Sequence, residues 1–326
     1  MIKFLNAGIP ISSKKLDTIS GLERIKELNL DGMELEFGRG VKMSEEKAKE
    51  VKNYSNNYNL TLSVHAPYYI NLATDDKKKL ENSYKFIIDS AKIGFLAGAR
   101  DIVFHPGFYQ NQDKKDVHKK IKLRIKEISK ILKDENINVI LRPETMGKPS
   151  QYGSIDELLD LMEIENVKPC IDLAHLHARE NGKYNNYEEI YELFRKFPNE
   201  LIKDIHIHYS GIVYDKKGER KHVNLWEKES DMNYYDFIRV LIDLDIRGNV
   251  VSESPYMEID ALLLKEVYYE VKFKKHFEIY GFSDDGKIHK NEHKSIIRRI
   301  PKEALNLFKE EFICKECFKG TEGPPI

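Results

Sequence analysis

Short runs in which nearly every residue is apolar or β-branched alternate along the chain with longer runs whose apolar positions recur every three or four residues. The short runs are IKFLNAG (2–8), GMELEF (32–37), LTLSVHA (60–66), DIVFHPG (101–107), INVILRPE (137–144), KPCID (168–172), DIHIHYS (204–210) and GNVVSES (248–254). Their length and their Ile and Val content predict strands buried on both faces. Between them, SEEKAKEVKNYSNNY (44–58), DKKKLENSYKFIIDSAKIGFLAG (76–98) and SIDELLDLMEI (154–164) follow the helical period. The last of these opens on Ser154 with Glu157 three residues on, a capping box.

Eight strands, each followed by a helix, predict a (β/α)8 TIM barrel over residues 1–275. A doubly wound open sheet would carry a Gly-rich phosphate loop after an early strand, and the sequence has none. The connection YSGIVYDKKGERKHVNL (209–225) is long and punctuated by Gly, which predicts a hairpin after the seventh strand. Residues 276–326 form a C-terminal extension with a further helical pattern, PKEALNLFKEEF, and a C-x-x-C at Cys314 and Cys317. That end reads as a disordered tail. The alternative is a Cys2His2 zinc site, for which His289 and His293 are the nearest histidines.

Composition narrows the partners. With 41% hydrophobic and 33% charged residues the chain is of ordinary globular type, and its formal net charge of −1 gives no overall attraction to nucleic acid or an anionic membrane. Contact with DNA would have to use local patches, such as the Lys-rich hairpin YDKKGERKH or Lys119–Lys126, and such runs are ordinarily solvated faces. Three cysteines make no disulfide framework and fit a reducing compartment. The N-terminal MIKFLNAGIPISSKK lacks the apolar core of a signal peptide, and no run approaches the ~18–20 apolar residues of a membrane helix. A cytoplasmic monomer is expected.

In a barrel of this type, chemistry gathers at the C-terminal ends of the strands. Strand three ends in His65, strand four in His105, strand five in Glu144, and strand six in Asp172 with His175 one turn on. Strand seven carries His206 and His208, whose side chains share a face, and strand eight ends in Glu253. His222, in the long connection, can fold over the same end. Any one of these is unremarkable; Asp172 alone would serve as a helix cap. Six consecutive strands delivering His, Asp or Glu to one end are different, because converging buried carboxylates require cations between them. Nitrogen and oxygen donors suit zinc or a similar metal, and their number exceeds what one tetrahedral ion needs. His177 points roughly 200° away from His175 on a helix and is read as structural.

HAPYYINLA (65–73), FHPG (104–107), PETMGK (143–148), CIDLAH (170–175), DIHIH (204–208) and VVSESP (250–255) together resemble the successive motifs of the endonuclease IV family, in order, over residues 2–275. That resemblance implies a zinc-dependent barrel that incises double-stranded DNA on the 5′ side of abasic sites in base excision repair. Carried over by position, it implies one Zn2+ on His65, His105 and Glu144, and a second on Glu144, Asp172, His206 and Glu253. A third would sit on His175, His222 and a carboxylate. The ions would activate a water for in-line attack, with Glu144 holding the metal pair. The sequence departs from the family at the third ion: Arg220 occupies the position of the Asp two residues before the loop histidine, leaving Glu219 or His208 to substitute. Tyr68, Tyr69 and Arg39 are the candidate DNA contacts. Two alternatives stand beside this reading: a sugar isomerase or epimerase of the xylose isomerase-like barrels, which use fewer histidines, and a catalytically weak barrel that binds DNA lesions.

Overall fold

The computed structural model describes residues 1–291 and 294–318. Strands β1 (Ile2–Ala7), β2 (Gly32–Glu36), β3 (Thr61–His65), β4 (Asp101–Phe104), β5 (Ile140–Pro143), β6 (Cys170–Asp172) and β7 (Ile205–Tyr209) are followed by a hairpin, β8 (Gly211–Asp215) and β9 (Gly218–Val223), and then by β10 (Gly248–Ser252). All but the hairpin join one parallel sheet in the order β5-β4-β3-β2-β1-β10-β7-β6. Single bridges Leu141↔Val167 and Glu144↔Cys170 join the two edges and close the barrel. The (β/α)8 architecture expected from the apolar runs is the one observed, and the long connection after strand seven is the hairpin.

The covering helices start where the sequence supplies a side-chain oxygen to the free N–H groups of the first turn. Asp17, Ser44, Asp76, Asp113 and Asn186 each accept such a bond, and Ser154 and Glu157 form the reciprocal capping box. The Lys-rich helix Lys114–Asp134 lies on the outside, where Lys120 pairs with Asp75 and Lys122 with Asp160 and Glu163. It is a solvated face. The N-terminal end of the barrel is tied by buried Arg142, which donates to Asp101 Oδ1 at 2.7 Å and to the Asp204 carbonyl at 3.1 Å. Arg100 and Lys168 reach the Asp204 carboxylate at 2.6 Å.

The extension is ordered where it is described. Strands β11 (Tyr280–Phe282), β12 (Ile288–Lys290) and β13 (Arg298–Ile300) form a small antiparallel sheet in the order β12-β11-β13. Tyr280, Ile288, Ile300, Ala304 and Leu305 pack with Ile259 of the last barrel helix, Met257–Phe273, and Trp226, Tyr256, Phe282 and Phe308 surround them. The expected helix PKEALNLFKEEF is instead two 3-10 turns, Lys302–Leu307 and Glu310–Phe312. Strands of three residues are too short for alternation to be legible in sequence, and the turns wrap onto the sheet instead of extending away from it. His293 and residues 319–326 lie outside the described residues.

A candidate metal centre at the barrel mouth

Six of the eight barrel strands deliver a side chain to one point. His65 closes β3, His105 follows β4, Glu144 follows β5, Asp172 closes β6, His208 lies in β7 and Glu253 follows β10. Glu144 stands at the centre: its Oε2 is 3.3 Å from His65 Nε2 and 3.2 Å from His105 Nε2, and its Oε1 is 3.2 Å from His175 Nδ1 and 3.5 Å from His208 Nδ1. Three donor groups contain Glu144 or Asp172: His65, His105 and Glu144; Glu144, Asp172, His208 and Glu253; and Asp172, His175 and His222, each with its ligand atoms within 4.8 Å of one another, and a further group joins Cys170, His206 and His208.

His206 is not in the central group. Its Nε2 meets Glu34 Oε2 at 2.9 Å one layer deeper in the barrel, and Ser63 Oγ donates to the same oxygen at 2.6 Å. Side chains two apart on a strand share a face but differ in depth, and His208, nearer the strand's C-terminal end, is the one beside Glu253, at 3.1 Å. The structure therefore sets His208, in place of His206, beside Glu144 and Glu253. Glu34 was missed in the sequence because the apolar run GMELEF gives no hint that its first glutamate points inward; its pairing with His206 and with His208 Nε2, at 2.9 Å, emerges only from the fold.

The absent Asp of the third group also has a structural answer. In the hairpin, Ile212 pairs with His222 and Val213 with Lys221, but Tyr214 pairs with Glu219, so Arg220 is the extra residue of a bulge. A bulge reverses the alternation of faces, which brings Glu219 to the side of His222 and turns Arg220 outward onto Asp215. Glu219 carboxylate oxygens lie 3.6 Å from His175 Nε2 and 3.9 Å from His222 Nε2. Gly147 makes room for this: a Cβ there would stand 2.7 Å from Glu219 Cβ and 3.0 Å from His175 Cδ2. Gly218, at φ +91°, opens the turn and lies against the Gly147 carbonyl.

The imidazoles are oriented from behind. His65 Nδ1 donates to the Ala66 carbonyl at 2.8 Å and His175 Nδ1 to the Thr145 carbonyl at 2.9 Å, which leaves each Nε2 lone pair facing the site. Ser210 Oγ holds His222 Nδ1 at 2.7 Å, and the two Nε2 atoms of His175 and His222 then face each other at 3.2 Å. Glu144 Oε1, Asp172 Oδ2 and both ring nitrogens of His208 are buried without a hydrogen-bond partner among the described residues. Carboxylate oxygens lie near the His208 nitrogens, yet not in hydrogen-bond alignment, and buried polar atoms left unpaired in this way are those an ion would satisfy.

The electrostatics agree. Burial would raise the Glu144 carboxyl, but the facing imidazoles of His105, His208 and His175 hold it well below the usual carboxylate range. Burial, with Glu144 and Glu253 adding to it, pushes Asp172 well above that range. Against burial, Glu144 and Glu36 raise His65 to about 10. The nitrogen and oxygen donor set fits zinc or a similar ion.

A cavity of about 550 Å³ opens over the centre, lined by Tyr68, His105, Lys148, His175, Glu219, His222 and Glu253 among others. Tyr68 is half exposed, lies 5.1 Å from the His65 ring and donates to Glu36 at 3.1 Å. Tyr69 and Arg39 are exposed on the loops after β3 and β2, at the same end. Lys148, at the end of PETMGK, lines the cavity wall, and nothing in the sequence pattern marks it. His177 is turned away, bonded to the Lys183 carbonyl and to Asp231.

Residues 22–270 match the family described as xylose isomerase-like TIM barrel. The chain belongs to this family. An uncharacterised protein of Methanocaldococcus jannaschii is 44% identical over 275 residues, covering 83% of this chain and 98% of that protein. A probable endonuclease 4 of Mesomycoplasma hyopneumoniae is 29% identical over 218 residues, covering 63% of this chain and 75% of that one. Among solved structures, a D-tagatose 3-epimerase-like protein superposes with a TM-score of 0.64 at 21% identity, covering 83% of this chain and 98% of that one. Endonuclease IV from Thermus thermophilus superposes with a TM-score of 0.61 at 17% identity, covering 84% and 99%. At these identities the superpositions speak for the fold. No helix among the described residues is long and apolar enough to cross a membrane.

Proposed function

We propose that this barrel is a zinc-dependent phosphodiesterase that cuts DNA 5′ to abasic sites. The observation that carries the reading is the set of three donor groups sharing Glu144 and Asp172. One ion would be held by His65, His105 and Glu144, a second by Glu144, Asp172, His208 and Glu253, and a third by His175, His222 and Glu219, with Asp172 adjoining. When bound, such ions supply Lewis-acid activation of water and neutralise charge on a phosphoryl group. The chain's own part is to fix the ligands: the Ala66 and Thr145 carbonyls set imidazole tautomers, and the Glu34 carboxylate lies 2.9 Å from His208 Nε2. Lys148 brings a cation to the cavity wall for a phosphate. Tyr68, Tyr69 and Arg39 would meet the duplex, and an abasic nucleotide, lacking a stacked base, would turn into the cavity at lower cost than a paired one. The likeness to endonuclease 4 proteins supports this substrate class, and three free thiols suit a cytoplasmic setting.

The central quartet Glu144, Asp172, His208 and Glu253 supports a second reading, since one ion on such a set serves the sugar isomerases and epimerases of this barrel group. The flanking His65/His105 and His175/His222 pairs are surplus to that chemistry and favour the hydrolase. Offering the zinc-loaded protein an abasic duplex and, separately, a panel of ketoses decides between them. Incision without ketose conversion supports the phosphodiesterase; ketose conversion alone overturns it. Tight binding of the abasic duplex without a cut would leave a lesion-binding barrel.

A further inference from the structure

We propose that His289, Cys314 and Cys317 hold a structural zinc ion that pins the end of the extension to β12. The inference is independent of the reaction at the barrel mouth. The ligand atoms of the three residues lie within 4.8 Å of one another, with His289 Nδ1 3.3 Å from Cys317 Sγ. Zinc bonds of about 2.3 Å to sulfur and about 2.0 Å to nitrogen place tetrahedral ligands about 3.5–3.8 Å apart, so little movement closes the site. The two-residue spacing of Cys314 and Cys317 is that of a zinc-binding turn, and its first thiol is anchored: the Cys314 N–H donates to the Ile288 carbonyl at 3.0 Å, one residue before His289.

His289 is prepared in the way metal-bound histidines are. Its Nε2 meets both Asp285 carboxylate oxygens, at 3.1 and 3.2 Å, which directs Nδ1 toward the sulfurs. Asp285 is itself held by Ser283 Oγ at 2.8 Å and the Lys287 N–H at 2.9 Å. A cavity of about 710 Å³, lined by Asp285, His289 and Cys314 among others, opens beside the ligands. There is also a reason for a metal here. Three strands of three residues around six buried apolar side chains make a core too small to be secure alone, the situation in which small modules use a metal or a disulfide. Two thiols in a chain with no disulfide among the described cysteines favour the metal.

The test uses cobalt in place of zinc on the full-length protein under reductant. Cobalt bound by thiolate absorbs in the near ultraviolet by charge transfer from sulfur, whereas the nitrogen and oxygen donors of the barrel mouth give no such band. The expected result is a thiolate band in the wild-type protein that survives Cys170→Ser and disappears in the Cys314→Ser/Cys317→Ser double variant, together with one metal fewer per chain. A wild-type spectrum without the band overturns the proposal whether or not the double variant folds. So does a band that persists in that variant, or one lost in Cys170→Ser.

Discussion

His206 and His208 differ by one pleat of a strand, and that pleat separates a hydrogen-bonded partner of Glu34 from the candidate metal ligand beside Glu144 and Glu253. His206 Nε2 is bonded to Glu34, while both nitrogens of His208 lack hydrogen bonds beside Glu144 and Glu253. His208→Ala should therefore remove metal from the purified protein, as read by elemental analysis, whereas His206→Ala should keep the metal and lower stability by about 2 kcal/mol through the lost bond to a charged group. Glu219 and Arg220 make a second contrast between neighbours. Glu219→Ala should cost the ion at His175 and His222, so metal content falls by one per chain. Arg220→Ala, which loses only an exposed pair with Asp215, should leave the count unchanged. Equal metal loss in both variants would refute the bulge as the device that replaces the missing aspartate.

At the scale of elements, the barrel strands, the capping box and the hairpin were legible because each rests on a local signal: an apolar run, Ser154 with Glu157, Gly218 at a turn. What escaped the sequence depends on register. A bulge at Arg220 changes which residue faces the site without changing composition, and the strands of the extension are shorter than one period of any pattern. The site residues at strand ends could be read from the barrel topology alone, but their depth, and so the exchange of His206 for His208, could not. The opposite end of the barrel carries stability instead of chemistry. Burial would raise Asp204, but hydrogen bonds from Arg100 and Lys168, with Arg142 nearby, lower it from 3.8 to about 2. A carboxylate depressed in the folded state stabilises above its unfolded value and loses that contribution as pH falls through the folded one. The difference amounts to about 2 kcal/mol. Asp204→Asn should therefore unfold at lower urea concentration near neutral pH, with the gap to wild type closing between about pH 4 and pH 2; a gap independent of acidification would contradict this.

For the whole molecule, the fold brings six strand ends and a bulged hairpin to one acidic, nitrogen-rich mouth, while the extension packs by Phe282 and Phe308 against Trp226 and Tyr256, residues of the loops that follow His222 and Glu253. On the proposed reading, a chain of net charge −1 would draw DNA to this mouth only through bound ions and a few local cations such as Lys148, so incision should weaken as salt rises. The measurement that bears most directly on the account is incision of an end-labelled duplex carrying a single abasic site, by protein of known metal content, before and after chelation and with zinc restored. The account expects a single cut on the 5′ side of the lesion, lost on chelation, recovered with zinc, and absent from Glu144→Gln. An intact duplex in the presence of fully metal-loaded protein would contradict it.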